Sequence, residues 1–310
     1  MSKFFTVHVD VDSPVILADF YQKDLSEYRL GQLEDFYENT FNRAMALFAK
    51  YQVKATFFCV ASEINKSPKI QNLIRRVEEA GHYIGHHTLN HPFGLNELSQ
   101  ETIEKELGSA NDIFKDVLGK IPMGFRSPGY ATDTNVVNTL EKMGLKYDSS
   151  AGWPLFHVIF KFLRFKNRGK QTMKVGYGET NSGFRTKPYS PSVDNWKKTS
   201  KIPRDFMEFP LPSTMWLLPC YGNLHLYFSP ALVKLLLWFT HRHKHLIYLM
   251  HSIEFASIED DFIPEQITVH PHVRVSNAVK QSKIEHTLQV LTKNRTQYVI
   301  EEEINKRNER

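Results

Sequence analysis

Residues 4–12 read Phe-Phe-Thr-Val-His-Val-Asp-Val-Asp. The stretch is rich in β-branched and aromatic residues and alternates along its length, so it predicts a strand that ends near Asp12. Outward from this strand, the sequence predicts a helix over 33–51, an apolar strand over 55–61 and a helix that begins at Ser67-Pro68. This alternation predicts an α/β protein with a mainly parallel sheet, either an open sandwich or a barrel.

The alternation of strands and helices is interrupted in the middle of the chain. Residues 151–203 lack it, and the part over 176–196 is rich in Gly, Ser, Thr, Asn and Pro. We therefore expect a single domain over 1–300 with an irregular insert at about 151–203. The charged end, 301–310, is expected to be a solvated tail.

Composition excludes several classes of protein. The chain has 310 residues with 41% hydrophobic and 24% charged residues, which excludes a disordered chain. Two cysteines cannot build a disulfide framework. A pI of about 8.9 is too weak a signal for nucleic acid, so we expect no such partner. The sequence predicts neither a signal peptide nor a spanning helix, and a cytoplasmic protein is expected.

Polar residues with metal-binding chemistry follow two of the predicted strands. Asp10 and Asp12 are two residues apart on a strand, so both carboxylates face the same side. His87 and His91 have a spacing that brings two imidazoles onto one face of a helical turn. Each pair alone is also typical of a solvated turn or a polar loop. One carboxylate and two histidines at neighbouring strand ends together match a catalytic metal site with open positions.

Two further strand ends carry candidate catalytic groups. Arg126 ends a short strand and can orient a carboxylate, and the Pro-Gly bend before Tyr130 can present backbone N–H groups to an oxyanion. The alternative is a turn with a surface arginine. His251 ends a late apolar strand, where a histidine is well placed as a general acid or base.

The order of these motifs resembles that of the polysaccharide deacetylases with a NodB homology domain, carbohydrate esterase family 4. Residues 87–91 match the family's His-[Ser/Thr]-x-x-His motif, 126–128 match Arg-x-Pro, and 249–251 match the late motif that ends in histidine. The family's adjacent aspartates are replaced by Asp10-Val11-Asp12, which is similar to a subgroup with Asp-x-Asp. The resemblance covers most of residues 3–255.

This resemblance implies a distorted (β/α) barrel, a seven-stranded variant of the TIM barrel with a long insert. It implies hydrolysis of an N-acetyl group on an amino sugar with a divalent metal ion, for which we expect Zn²⁺. The metal ligands would be Asp12, His87 and His91. Asp10 would be the base, and Arg126 would orient it. His251 would be the acid, and the backbone N–H of Tyr130 would be the oxyanion donor.

The insert has a feature outside the family pattern. Over 153–170, Lys161, Arg164 and Arg168 form a narrow cationic stripe beside a wide apolar face. This pattern is typical of an interfacial helix that meets a membrane or a lipid-linked sugar, which would place the protein at the inner membrane face. It is equally typical of a helix that packs its apolar face on the barrel and leaves one edge exposed to solvent.

Several functions remain open from the sequence. The leading prediction is removal of an N-acetyl or related acyl group, such as formyl, from an amino sugar in a polysaccharide or glycan precursor. The alternatives are a non-catalytic carbohydrate-binding relative, a deacylase of a lipid-linked sugar and an amidohydrolase of small amides. Four aromatic residues of the insert favour a larger substrate that stacks on rings: Trp153, Tyr177, Tyr189 and Trp196.

Overall fold

The protein is described by a computed structural model. It describes residues 2–152, 187–211, 225–240, 243–260 and 262–309. The predicted interfacial segment, 153–170, lies outside the described residues. Within these ranges, no helix is both long enough and apolar enough to cross a bilayer.

A single parallel sheet organises the described chain. Seven strands follow one another in the spatial order β6-β5-β4-β3-β2-β1-β7 and curl into a distorted half-barrel. An additional short strand, β8, pairs with the first residues of β1. The strands are β1 Phe4–Asp10, β2 Ala55–Cys59, β3 Tyr83–His86, β4 Gly124–Phe125, β5 Tyr147–Asp148, β6 Met207–Glu208, β7 His245–His251 and β8 Thr296–Gln297. The structure confirms the predicted distorted (β/α) barrel.

Helices cover the outer face of this sheet. They are α1 Pro14–Tyr21, α2 Leu30–Lys50, α3 Ala61–Ile64, α4 Pro68–Glu79, α5 Gln100–Leu118, α6 Thr134–Lys142, α7 Pro230–Phe239, α8 Asn277–Asn294 and α9 Ile300–Asn308. Their starts follow local chemistry, since Ser13, Ser67 and Asp133 each accept hydrogen bonds from the first turn of a helix. The predicted helix over 33–51 is confirmed, and it begins three residues earlier at Leu30.

The period of two in β1 and β7 decides which side chains face the barrel interior. Val7 and Val9 of β1 pack in the apolar core beneath the helices. His8 and Asp10 alternate with these valines along β1, so their side chains point to the opposite face. The same alternation in β7 turns His251 inward. Asp10 and His251 are register partners on these adjacent strands, so their side chains meet at the same edge.

The amino-terminal end of the barrel is closed by the end of the chain. Of the tail predicted to be solvated, 301–310, Glu301 is buried beside Ile300 at the start of α9, whereas residues 305–307 are exposed. Thr56 and Tyr147 both donate hydrogen bonds to Oε1 of Glu301, at 2.8 Å and 2.6 Å. These bonds and the apolar contact of Ile300 offset the cost of burying a carboxyl group.

Candidate active site

Three predicted ligands converge at the carboxyl end of the sheet. Asp12 follows β1, and His87 and His91 follow β3. The Oδ1 atom of Asp12 lies 3.6 Å from Nε2 of His87 and 3.4 Å from Nε2 of His91. One ligand atom from each residue falls within 4.8 Å of the other two, which is compact enough to hold a metal ion.

The hydrogen bonding of His87 shows that this set fits a cation. Its Nδ1 lies 2.6 Å from the carbonyl oxygen of Arg126, which can only accept, so Nδ1 carries the proton. In the neutral ring, the lone pair of Nε2 then faces Oδ1 of Asp12, an acceptor that is buried and has no hydrogen-bond partner in the described chain. Two acceptors that face each other repel, and a divalent cation between them removes the conflict.

The electrostatics of Asp12 favour the same chemistry. Burial alone would raise the pKa of Asp12, but the imidazoles of His87 and His91 hold it well below its usual range. Burial lowers the pKa of His91, although Asp12 opposes this shift. An ionised carboxylate beside neutral imidazoles is the protonation state that metal binding needs.

The local structure of the histidine motif differs from the prediction. The segment from His87 to His91 is not a helical turn, because Thr88 and His91 both have positive φ, at 68° and 57°. Hydrogen bonds hold this loop: the amides of Ala61 and Ser62 at the start of α3 donate to the carbonyls of residues 88 and 89. The two imidazoles converge because the loop folds back on itself.

Asp10 and His251 lie beside Asp12, His87 and His91, which we call the metal-ligand set. The closest distance between them is 3.9 Å, from Nε2 of His251 to Oδ2 of Asp10, and the same Nε2 lies 4.0 Å from Oδ2 of Asp12. Burial alone would lower the pKa of His251, but the carboxylates of Glu254, Asp12 and Asp10 raise it to about 9. The two groups lie side by side at adjacent strand ends.

Arg126 is buried inside the barrel but makes a different contact from the predicted one. Its Nη2 lies 2.8 Å from Nδ1 of His8 and donates to Oγ of Ser149 at 3.2 Å. No ion pair with Asp10 is found in the described chain. The guanidinium also lies over the ring of Phe58, with 5.1 Å between Cζ and the ring centroid. His8 is the nearer neighbour of Arg126 on β1, so the predicted orientation of Asp10 by Arg126 stays a prediction.

The predicted oxyanion donor is engaged within its own turn. The amide of Tyr130 donates to the carbonyl of Ser127 at 2.9 Å, since Pro128–Tyr130 forms a 3-10 turn. Gly129 and Tyr130 both have positive φ in this turn. In this conformation, the amide of Tyr130 has no free hydrogen to offer an oxyanion.

Two buried glutamates next to the site were missed by the sequence analysis. Glu63 in α3 accepts hydrogen bonds from Ser13 at 2.5 Å and from Tyr37 at 2.8 Å, and so anchors the residue that follows Asp12. Glu254 lies 3.6 Å from Nδ1 of His251, within the 3-10 helix Ser252–Phe255. Neither belongs to a recognisable motif, and only the spacing of three residues between His251 and Glu254 gave a local signal.

A second acidic cluster lies further along the same edge of the sheet. Asp148 and Glu208, which we call the acid pair, are register partners at the ends of β5 and β6 and are both fully buried. Burial raises the pKa of Asp148 to about 6, and burial and the charge of Asp148 raise that of Glu208 well above its usual value. One proton held between the two carboxyls would satisfy oxygens that otherwise have no partner in the described chain.

The aromatic residues predicted to stack on substrate are only partly described. Tyr189 and Trp196 are buried, with 6% and 2% of their surfaces exposed. Trp196 packs in an apolar cluster with α6 residues such as Val136 and Val137. The stacking prediction is wrong for these two residues, because their rings serve the core. Trp153 and Tyr177 lie outside the described residues.

Comparison with known proteins finds a family that is similar to part of the chain. The profile described as "Polysaccharide deacetylase" matches residues 32–147, which include His87, His91 and Arg126. Over these residues, the chain is similar to the polysaccharide deacetylase family. The matched range leaves out Asp10, Asp12 and His251, so their assignment depends on the geometry described above.

Curated deacetylases are also similar to part of the chain. A peptidoglycan-N-acetylglucosamine deacetylase from Bacillus cereus is 30% identical over 102 residues, which cover 33% of this chain and 46% of the relative. Chitin deacetylase 1 from Cryptococcus neoformans is 37% identical over 93 residues, which cover 30% of this chain and 19% of the relative. The chain thus matches less than half the length of either relative.

A crystal structure from Mycobacterium smegmatis, described as a candidate polysaccharide deacetylase, is similar over nearly the whole chain. It superposes with a TM-score of 0.60 and covers 99% of this chain and 92% of the other. The sequence identity is 16%, so this similarity shows a shared fold.

Proposed function

We propose that this protein is a metal-dependent hydrolase that removes an N-acetyl group from an amino sugar in a glycan. The observation that carries this proposal is the convergence of Asp12, His87 and His91 beside Asp10 and His251. The deacetylases of peptidoglycan and chitin among the relatives support an N-acetylated amino-sugar polymer as the substrate class.

A divalent ion, for which we propose Zn²⁺, would be held by Asp12, His87 and His91. Such an ion polarises a carbonyl oxygen and makes water more acidic. The tautomer of His87 is fixed by the Arg126 carbonyl, so its Nε2 is already available as a ligand. The carbonyl of Asp12 accepts a hydrogen bond from Oγ of Ser252 at 2.9 Å, which ties this ligand to the end of β7.

Asp10 and His251 supply the proton transfers in this proposal. Asp10 is almost fully buried, and its Oδ1 has no hydrogen-bond partner in the described chain. It is therefore free to accept the proton of the attacking water. His251 gives the proton that the departing amine requires. Because the two groups are adjacent, the opposite assignment, with His251 as the base, is the alternative that mutation must separate.

The experiment combines metal analysis with an acetate-release assay on N-acetylated amino-sugar oligomers. We expect one divalent ion per chain in the purified protein, and we expect His87→Ala to lose metal and acetate release together. His286→Ala is the matched control, since the ring of His286 forms a hydrogen bond with the Pro230 carbonyl on the outer layer of the barrel. Equal metal content in the wild type and His87→Ala would overturn the metal site. Bound metal without acetate release would favour a non-catalytic glycan-binding protein.

A further inference from the structure

The ring of His251 lies between two sets of carboxylates. Its Nε2 faces Asp10 and Asp12, whereas its Nδ1 faces Glu254 at 3.6 Å. The side chain of Glu254 is fully buried, and neither of its oxygens has a hydrogen-bond partner in the described chain. A buried carboxylate without a partner is costly, so this group requires a donor close by.

The backbone around Glu254 is held in place from α8. Nζ of Lys280 is buried and donates hydrogen bonds to the carbonyls of Ile253, Ala256 and His272. Two of these carbonyls lie within two residues of Glu254 in sequence. Lys280 therefore fixes the turn that carries Glu254 and adds a positive charge to its surroundings.

His272 is the other ring nitrogen that Glu254 can reach. Its Nδ1 lies 3.8 Å from Oε1 of Glu254, slightly farther than Nδ1 of His251. Burial lowers the pKa of His272 to about 3. The chain geometry distinguishes the two rings: only His251 turns its second nitrogen toward the metal-ligand set.

We propose that Glu254 is a positioning residue for His251, an inference that rests on the proposed function. Its Oε1 accepts the Nδ1 proton of His251, which fixes the ring with Nε2 toward the substrate. Such bonds are often long without substrate and shorten when it binds. When the C–N bond breaks, its electron pair goes to nitrogen, which takes the proton from Nε2. His251 is then neutral, and its Nδ1 proton stays directed toward Glu254.

This role predicts a selective effect that depends on the leaving group. A sugar amine must be protonated to leave, whereas 4-nitrophenolate leaves without a proton. Glu254→Gln should therefore lower kcat on an N-acetylated amino-sugar oligomer by about 10- to 100-fold. The same variant should lose less than about 3-fold on 4-nitrophenyl acetate, because that reaction does not need the acid.

Glu63→Gln is the matched control, because it makes the same change at another buried glutamate next to the site. Glu63 holds Ser13 and does not contact His251, so any loss it causes should be equal on both substrates. Metal content and melting temperature are measured for every variant. If Glu254→Gln does not fold, Glu254→Asp replaces it in the test. Its shorter side chain keeps the charge but moves the carboxylate away from Nδ1 of His251, so it should show the same selectivity.

The outcomes separate this inference from the proposed function. Wild-type release of acetate from the oligomer, with a loss confined to that substrate in the Glu254 variant, supports both. Wild-type release with equal losses on both substrates overturns the positioning role alone. A wild-type protein that cleaves neither substrate while holding metal overturns the proposed function and this role with it.

Discussion

Two clusters of buried carboxyl groups lie at the same edge of the sheet and behave in opposite ways. In the metal-ligand set, Asp12 faces two imidazoles, and its pKa lies well below the usual range. In the acid pair, Asp148 and Glu208 face each other, and burial raises the pKa of both. The nature of the neighbour, rather than burial alone, decides whether a carboxyl group keeps its charge.

This contrast favours the metal-ligand set as the cluster that would attract a cation. Asp12 is ionised, and its Oδ1 has only the lone pair of His87 and the ring of His91 beside it. A proton held between the two carboxyls would complete the acid pair, and the nearby charge of Arg126 only partly opposes the rise that burial causes in both pKa values. A metal ion would complete the first cluster, whereas a proton would complete the second.

The largest expected effect comes from making the same chemical change in both clusters. Asp12→Asn removes a charged ligand and should weaken metal binding by at least about 10-fold, with acetate release falling to background. Glu208→Gln removes an acid that is already partly neutral and should keep its metal. Metal titration of the dialysed proteins measures the metal affinity of both variants. Equal metal affinity in the two variants would show that the contrast between the clusters is false.

Asp10→Asn should have the next largest effect, because it separates metal binding from proton transfer. Asp10 is adjacent to the metal ligands but outside the set that converges on one point. The variant should keep its metal and lose turnover by roughly two to four orders of magnitude. Steady-state acetate release measures the loss. A near-normal rate in this variant would indicate that His251, and not Asp10, is the base.

A smaller effect is expected in the pH dependence of stability of Glu208→Gln. The folded pKa of Asp148, about 6, lies above its unfolded value of about 4, so the folded state holds more protons between these values. The stability that this group contributes is complete below about pH 4 and is lost as pH rises toward 6. The pKa of Glu208 is also raised in the folded state, so Glu208→Gln removes its own contribution and the loss should shrink. Urea unfolding of both proteins from pH 4 to 7 measures the difference, and parallel curves would contradict a shared proton.

The smallest effect is expected when both acids are neutralised. Once Glu208 is Gln, only burial raises the pKa of Asp148, so adding Asp148→Asn should remove just this remaining part of the pH dependence. The two substitutions should therefore be non-additive, as expected for groups that share one proton. The same unfolding series on the double variant checks this, and additive effects would show that the acids titrate independently.

The sequence predicts much of the site because strand ends are locally encoded. The alternation in Phe4–Asp10 and His245–His251 sets which face each residue occupies, and parallel strands bring their carboxyl ends to one edge. Asp12, His87 and His91 can accordingly be identified from their places after two strands. Their convergence needs no detailed knowledge of the intervening helices.

The contacts between distant residues could not be predicted in this way. Arg126 was expected beside Asp10, but the short strand that carries it places the guanidinium next to His8. The 87–91 segment has the predicted histidine spacing but not the helical turn, because α3 amides draw the loop into left-handed conformations. These outcomes depend on hydrogen bonds between segments that are remote in sequence.

The sequence by itself determined the βα alternation, the helix caps and the residue types at the strand ends, because these follow from backbone period and local hydrogen bonding. Only the tertiary structure decided the charge of each buried carboxyl group. Glu254 faces His251, Glu208 faces Asp148, and Glu301 receives the hydroxyls of Thr56 and Tyr147. A carboxyl group has the same covalent structure in all three places, and its chemistry is set by the neighbours that folding brings to it.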